Sequence, residues 1–366
     1  MQKINKVILI TNIPAPYRIQ LWDLIKKKFD LKVICIAPTE KNRNWRIEQR
    51  DYISFLKSYH LFFERQDWAL HFSIPFTLFW RLYKENPMII VITGYDSIQY
   101  WEALFYAKIF NKKIIMWSGS TLYSSRSTNK VIRFLKNYFI NSMNGFYTYG
   151  TEATKYIKSF GIKENKITTG TNCIDTSYFK SNTSNDSNIS NRVNFLYVGQ
   201  LIERKGLVNT IVSFSRIKYK NWHFTIVGTG SQENELKNLV SELQLEDKIT
   251  FVGFKQKEEI IRYYSNSDVF IMPSYLEVWG LVLNEALASG LFVLSSKYAG
   301  ATFDLVEEGI NGFTIDPKKI SDIILKIEKV ISMNFDKKII KNNFQVTYEK
   351  EAKKMLNLIE ALGINK

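Results

Sequence analysis

Short apolar runs bounded by polar turns recur along the first half of the chain, at residues 7–11, 32–37, 89–93, 113–117 and 145–148. Each is long enough for a strand and too short for a helix. Between them, helical spacing of apolar positions appears at 17–28, 101–110 and 130–142. Strands alternating with helices predict an open parallel sheet covered on both faces. The segment from Lys180 to Ser190 is then too polar to pack and is expected to be a linker. After it the same rhythm restarts at 193–198, 224–227, 249–252, 269–272, 292–295 and 313–315, with a helix at 232–243 whose Leu236, Leu239, Val240 and Leu243 make one apolar stripe. Residues 348–362 form a charged amphipathic helix. The fold class expected is α/β: two doubly wound, Rossmann-like domains facing across a cleft, with ligand at the strand carboxyl ends. The boundaries expected are 1–180, 181–345 and, for the terminal helix, 346–366.

Composition narrows the class. A length of 366 residues with 45% apolar content suits two packed domains. Cys35 and Cys173 show neither pairing nor metal spacing, and His60, His71 and His223 are scattered, so reduced thiols and no metal site are expected. No signal peptide precedes the first strand and no apolar run reaches membrane-spanning length, which points to the cytoplasm. The net charge of +15 is uneven: residues 1–183 hold 27 Lys and Arg against 13 Asp and Glu, leaving 23 against 22 for the rest. The basic half also carries an aromatic run, 59–84, whose Pro75 and internal charges argue against a spanning helix. A basic, aromatic surface suits an anionic membrane. A loop and helix packed on the core with solvated Lys and Arg explains the same residues equally well.

The densest chemistry lies in the run from Pro273 to Gly290. Glu277 falls in a loop just before a predicted helix, and Glu285 lies about 7 Å further along its axis. A helix start offers unpaired N–H groups and a positive dipole, which suit a phosphate, and Gly280 lets a ligand approach the backbone. Two carboxylates touching that phosphate would repel it. They fit if each accepts hydrogen bonds from hydroxyls on opposite sides of a diphosphate, as in a sugar nucleotide. Taken alone, the pair makes a better case for a cap at Glu277 and a solvated helix face at Glu285 than for chemistry.

Two further turns add to the pattern. Gly199 follows the first strand of the second half and leads to Arg204, Lys205 and Gly206, cations placed where a diphosphate could rest. Gly228 and Gly230 follow the next strand and bring backbone near a base or phosphate, although an ordinary strand-to-helix turn has the same glycines. The whole set, with Gly300-Ala301-x-x-Asp304 and Gly309-x-Asn311-Gly312, resembles the retaining, GT-B-fold enzymes of glycosyltransferase family 4. The likeness is strong over 193–316 and a matter of layout in the first half. It implies a nucleotide-sugar donor held in the second domain. Glu277 would hold hydroxyls of the transferred sugar, Glu285 the ribose diol, and Arg204 with Lys205 the diphosphate. Backbone N–H groups of Gly280, Leu281 and Val282 would complete the phosphate site.

The chain departs from that pattern in places. Gln200 follows Gly199 where the family often has Arg, and the glycine-rich first loop is replaced by Asn12-Ile-Pro14-Ala-Pro16-Tyr-Arg18. Trp117-Ser118-Gly119-Ser120 stands where many members carry a His, so no general base is drawn from there. The resemblance implies same-face displacement, in which the leaving diphosphate oxygen takes the acceptor's hydroxyl proton. No Asp-x-Asp triplet is present, and no metal or other cofactor is expected. The function expected is transfer of a sugar to a glycan or lipid-linked acceptor in envelope polysaccharide synthesis, in the cytoplasm or at the inner face of the plasma membrane. Two other classes fit the residues less well. An epimerase or hydrolase on the same scaffold would want His and acidic residues converging in the cleft, and a nucleic-acid-binding protein would leave Glu277 and Glu285 without a role, so no nucleic-acid partner is expected.

Overall fold

A computed structural model describes residues 5–39, 49–56, 61–65, 68–72, 77–124, 129–183 and 192–364. The protein divides into two compact units, Met1–Thr171 with Tyr348–Lys366, and Asn172–Thr347.

The first unit is built on nine strands: β1 (Lys6–Thr11), β2 (Asp30–Cys35), β3 (Ile53–Phe55), β4 (Leu61–Arg65), β5 (Trp68–Phe72), β6 (Ile89–Ile92), β7 (Lys113–Ser118), β8 (Gly145–Tyr149) and β9 (Ile167–Gly170). Seven of them pair in parallel in the order β3-β2-β1-β6-β7-β8-β9, while β4 and β5 form a separate antiparallel hairpin. The strand order reverses between β1 and β6, the topological switch point of a doubly wound sheet. Runs such as Val7-Ile-Leu-Ile10 and Ile89-Ile-Val-Ile92 are buried throughout, as strands covered by helices on both faces must be. The aromatic run at 59–84 is divided between this hairpin and the helix Thr77–Glu85, and Pro75 lies outside the described residues.

The second unit has six parallel strands: β10 (Val193–Val198), β11 (Trp222–Val227), β12 (Ile249–Phe251), β13 (Val269–Met272), β14 (Phe292–Ser296) and β15 (Gly312–Ile315). Their order is β12-β11-β10-β13-β14-β15, so the switch point falls between β10 and β13. Asp175 caps the helix Thr176–Asn182 by accepting from the Tyr178 N–H at 3.0 Å. That helix takes up Lys180, Ser181 and Asn182 of the segment whose polarity suggests a linker; it is anchored by the buried Phe179. Residues 184–190 of the same segment lie outside the described residues.

The terminal helix, Tyr348–Ile364, belongs to the first unit. It packs on the helix Pro16–Lys26 and on β8 and β9. Its Tyr348 hydroxyl donates to the Tyr17 carbonyl at 2.7 Å. The buried Glu351 accepts from the Tyr147 hydroxyl at 2.6 Å and from the Thr171 N–H at 2.7 Å. One carboxylate thus ties the returning helix to β8 and to the residue where the first unit ends. Removing it takes a charged acceptor away from the Tyr147 hydroxyl and the Thr171 N–H, so Glu351→Ala should lower unfolding free energy by about 2–4 kcal/mol, and Glu351→Gln by less. Urea denaturation of the two variants beside wild type measures this.

Candidate functional site

Both carboxylates picked out by the sequence lie at the carboxyl end of the second sheet. The chain leaves β10 through Gly199 and a 3-10 turn, Glu203–Lys205, and leaves β13 through a loop that reaches the helix Leu281–Ala288. Because β10 and β13 are neighbours, these two loops meet at the switch point. Gly206 is left-handed at φ +72°, and a Cβ there would stand 2.2 Å from the Pro273 carbonyl oxygen. Only glycine lets the first loop lie this close to the second. The Tyr275 N–H then donates to the Arg204 carbonyl at 2.8 Å, and Arg204 Nη1 donates to the Leu276 carbonyl at 3.2 Å.

This locking sets Lys205 Nζ directly on the Glu277 carboxylate, with Arg204 3.7 Å away. Lys205 and Glu277 are 14% and 17% exposed, dry enough for the attraction to be strong and open enough for a ligand to reach. Glu277 is also held through its backbone: its N–H donates to Tyr298 and its carbonyl accepts from Gly300, both at 3.1 Å. A carboxylate and two cations that the resemblance assigns to different parts of one donor are therefore one cluster.

Glu285 lies in the fifth position of the helix Leu281–Ala288 and accepts from the Tyr264 hydroxyl at 2.7 Å. Burial pushes its carboxyl up to about 7, against smaller opposing pulls from Tyr264 and Lys257. Gly280 caps the helix in a left-handed conformation, φ +95°. The Leu281 and Val282 N–H groups head the helix without an acceptor among the described residues. They remain available to an anion, beside the cations.

Gly228 and Gly230 are required by close packing between loops. A Cβ on Gly228 would fall 1.8 Å from the Gly199 carbonyl oxygen, and one on Gly230 2.2 Å from the Leu201 carbonyl oxygen. They let the loop after β11 stack on the loop after β10, which steadies the Arg204–Lys205 turn. A recess of about 420 Å³ opens beside that turn, lined by Glu203, Gly206, Asn209, Gln232, Glu235 and Tyr275 among others. Its acidic side chains suit hydroxyls better than phosphate. Among the described residues no group of three or more His, Cys, Asp or Glu side chains is placed to hold a metal ion.

Sequence spacing missed two supports. Tyr264 reaches Glu285 from the neighbouring helix Lys257–Ser265, and the buried Asn284 accepts from Trp279 Nε1 and donates to the Asn172 carbonyl, each at 2.9 Å. Both contacts come from tertiary packing, for which spacing along the chain has no signal.

Residues 179–346 match the family model described as glycosyl transferases group 1. The second unit is a group 1 glycosyltransferase domain. Over 69% of its own length and 69% of the relative, the chain is 29% identical to an uncharacterized glycosyltransferase of Haemophilus influenzae. It is 34% identical to the amylovoran biosynthesis glycosyltransferase AmsK of Erwinia amylovora, over 37% of this chain and 35% of that protein. In three dimensions it is similar to Anabaena HepE in complex with UDP, with a TM-score of 0.72, 15% identity and 98% of each chain covered. That likeness covers both units and shows the fold, two parallel-sheet α/β units as in GT-B structures.

The pH behaviour of Glu285 is testable without substrate. Burial raises its folded carboxyl to about 7 from an ordinary 4.5, so between those values the native state holds a proton that the unfolded chain has lost. The stability this contributes is complete below the lower value and lost as pH rises through the upper one. Glu285→Gln should abolish that decline, so the variant gains on wild type as pH increases across the window. Denaturant midpoints of the two proteins at a series of pH values give the difference.

Proposed function

We propose that the protein is a retaining glycosyltransferase that moves a sugar from a nucleotide-sugar donor to a glycan or lipid-linked acceptor in cell-envelope polysaccharide synthesis. The observation that carries this reading is the ion cluster of Glu277 with Lys205 and Arg204 beside the open start of the helix Leu281–Ala288. A diphosphate fits there between two hydroxyl-binding carboxylates. On its arrival, Lys205 and Arg204 turn to the phosphate oxygens, joined by the Leu281 and Val282 N–H groups, with the glycine turns of Gly199, Gly228, Gly230 and Gly280 holding the loops. Glu277, released from its cation, accepts hydrogen bonds from hydroxyls of the transferred sugar, and Glu285 from the ribose diol. AmsK supports the polysaccharide assignment and the UDP complex of HepE the nucleotide.

In the transfer, the bond from the anomeric carbon to the diphosphate oxygen breaks as the acceptor oxygen attacks the same face. The acceptor's hydroxyl proton passes to the departing oxygen, so no side-chain base is called for. The protein's contribution is to orient the reactants and stabilise the charge that develops on the diphosphate. The reading calls for no metal, because Lys205, Arg204 and the helix start supply positive potential.

The enzyme works, on this reading, at the inner face of the plasma membrane. Three helices of the first unit, Thr77–Glu85, Ile98–Ile109 and Lys130–Asn141, form a connected layer: Tyr83 and Phe110 rings lie 5.5 Å apart, and Lys108 Nζ lies 5.3 Å over the Tyr138 ring. Phe134 is 69% exposed and Trp80 60%, with Tyr83, Phe105 and Ile132 also exposed. Lys130, Arg133 and Lys136 punctuate the last helix, which has no acidic residue. Exposed aromatics among cations match an anionic lipid interface. Among the described residues no helix is long and apolar enough to cross a membrane.

Two measurements test these readings. Glu277→Ala and Lys205→Ala should each lower donor turnover by about 10²-fold or more while the fold persists, judged by circular dichroism; wild-type rates with the cognate nucleotide sugar would refute the site. Binding to vesicles containing phosphatidylglycerol should be strong at low ionic strength, fall with added salt, and weaken about fivefold or more in Arg133→Glu. Absence of binding at low salt would defeat the membrane assignment.

A further inference from the structure

At the carboxyl edge of the first unit's sheet, Arg18 is surrounded by aromatic rings. Its guanidinium carbon lies 5.3 Å from the ring centre of Trp117, 5.7 Å from Tyr17 and 5.9 Å from Tyr149. Nη1 donates to the Thr11 hydroxyl at 3.0 Å. Thr11 in turn accepts from Thr93 at 3.1 Å, and Thr93 lies 3.0 Å from the Tyr100 hydroxyl, so the floor beneath the guanidinium is a satisfied chain of hydroxyls. The guanidinium itself is satisfied only in part, by Thr11 and by the Tyr149 hydroxyl. Its Nε is buried without an acceptor, and so is Trp117 Nε1 beside it. Among the described residues no carboxylate forms an ion pair with Arg18.

That arrangement is unusual on energetic grounds, because a cation taken out of water is ordinarily paired with an anion. Its place in the fold is equally telling. Thr11 ends β1 and Thr93 follows β6, the two strands on either side of the switch point; Trp117 and Tyr149 come from the ends of β7 and β8. Open α/β sheets hold ligands at this edge.

We propose that Arg18 and Trp117 form an oxyanion subsite that takes a phosphate or carboxylate group carried by the acceptor. The fork of Arg18 grips two oxygens, Trp117 Nε1 donates to one, and the rings exclude water from the contact. Trp117 and Tyr149 are buried, whereas Tyr17 is half-exposed, so the anion reaches the guanidinium from the Tyr17 side. The identity of the anion's carrier as acceptor rests on the transferase reading; the anion site itself does not.

The test uses the full chain with Arg204→Ala and Lys205→Ala, which removes phosphate capture in the second unit. Thermal unfolding is followed with inorganic phosphate and, separately, with glucuronate. At least one of them should raise the midpoint, and adding Arg18→Gln should weaken its apparent affinity about tenfold or more. Arg18→Lys keeps a cation among the rings but loses the fork; it should fold and also bind more weakly, which separates a lost site from a lost fold. Response to phosphate alone assigns a phosphorylated acceptor, and response to glucuronate alone an acidic sugar. No shift with either anion, or shifts that persist in both Arg18 variants, would overturn the proposal. A nucleotide-sugar panel on the wild-type chain reports independently: silence there, with the anion response intact, sinks the donor reading and leaves the oxyanion site standing.

Discussion

The second unit depends on one interaction, the contact of Lys205 with Glu277 across the switch point between β10 and β13. Neither residue is near the other in sequence, and neither is placed by a helix. Each is carried on a loop, and loops ordinarily leave side chains poorly fixed. Here backbone hydrogen bonds from Tyr275 to Arg204, from Glu277 to Tyr298 and from Gly300 to Glu277 bind the loops to one another before any side chain is considered. The ion pair completes a frame that already exists. It also gives two desolvated charges a partner while the site is empty, which is the condition for keeping them in a half-dry place at all.

The glycines belong to the same argument. Gly206, Gly228 and Gly230 each stand where an added Cβ would collide with a carbonyl oxygen of a neighbouring loop. Three loops are stacked by what these residues lack, and the stack sets the height of Lys205 over the sheet. Glu285 answers a different constraint. Its helix is short and largely apolar, and its carboxyl is raised by burial, so hydroxyl donors such as Tyr264 are the partners it favours. A group of that kind is better suited to holding a diol than to attacking a carbon.

How much of this was legible in the sequence follows from which signals are local. Most strands of both sheets could be read because buried parallel strands are short, apolar and bounded by turns, and the helix start after Gly280 because a glycine there breaks one pattern and opens another. The hairpin of β4 and β5 was not, since an aromatic, charged run has no single period. Strand β9 was missed for a related reason: Ile167-Thr-Thr-Gly170 is only partly apolar and owes its place to pairing with β8. The pairing of Lys205 with Glu277 is non-local, and only likeness to a known family brought those residues together. Tyr264, Asn284 and Glu351 gave no signal, because what they do is decided by elements far away in the chain.

The two switch points solve opposite problems with similar parts. In the second unit the cation already has its carboxylate, so on the proposed function an arriving diphosphate exchanges one anion for another at Lys205. In the first unit Arg18 faces rings and hydroxyls, and nothing has to be displaced. Cation–π contacts are weaker than an ion pair and tolerate an added anion on the open edge of the guanidinium. On the two proposals, a single phosphate or carboxylate suffices at Arg18, whereas the cluster of the second unit is matched to a diphosphate. The same reasoning explains why the loop after β1 can do without the glycines of the related enzymes: Pro14 and Pro16 stiffen a turn whose task is to present a side chain, whereas glycines serve a turn that must present backbone.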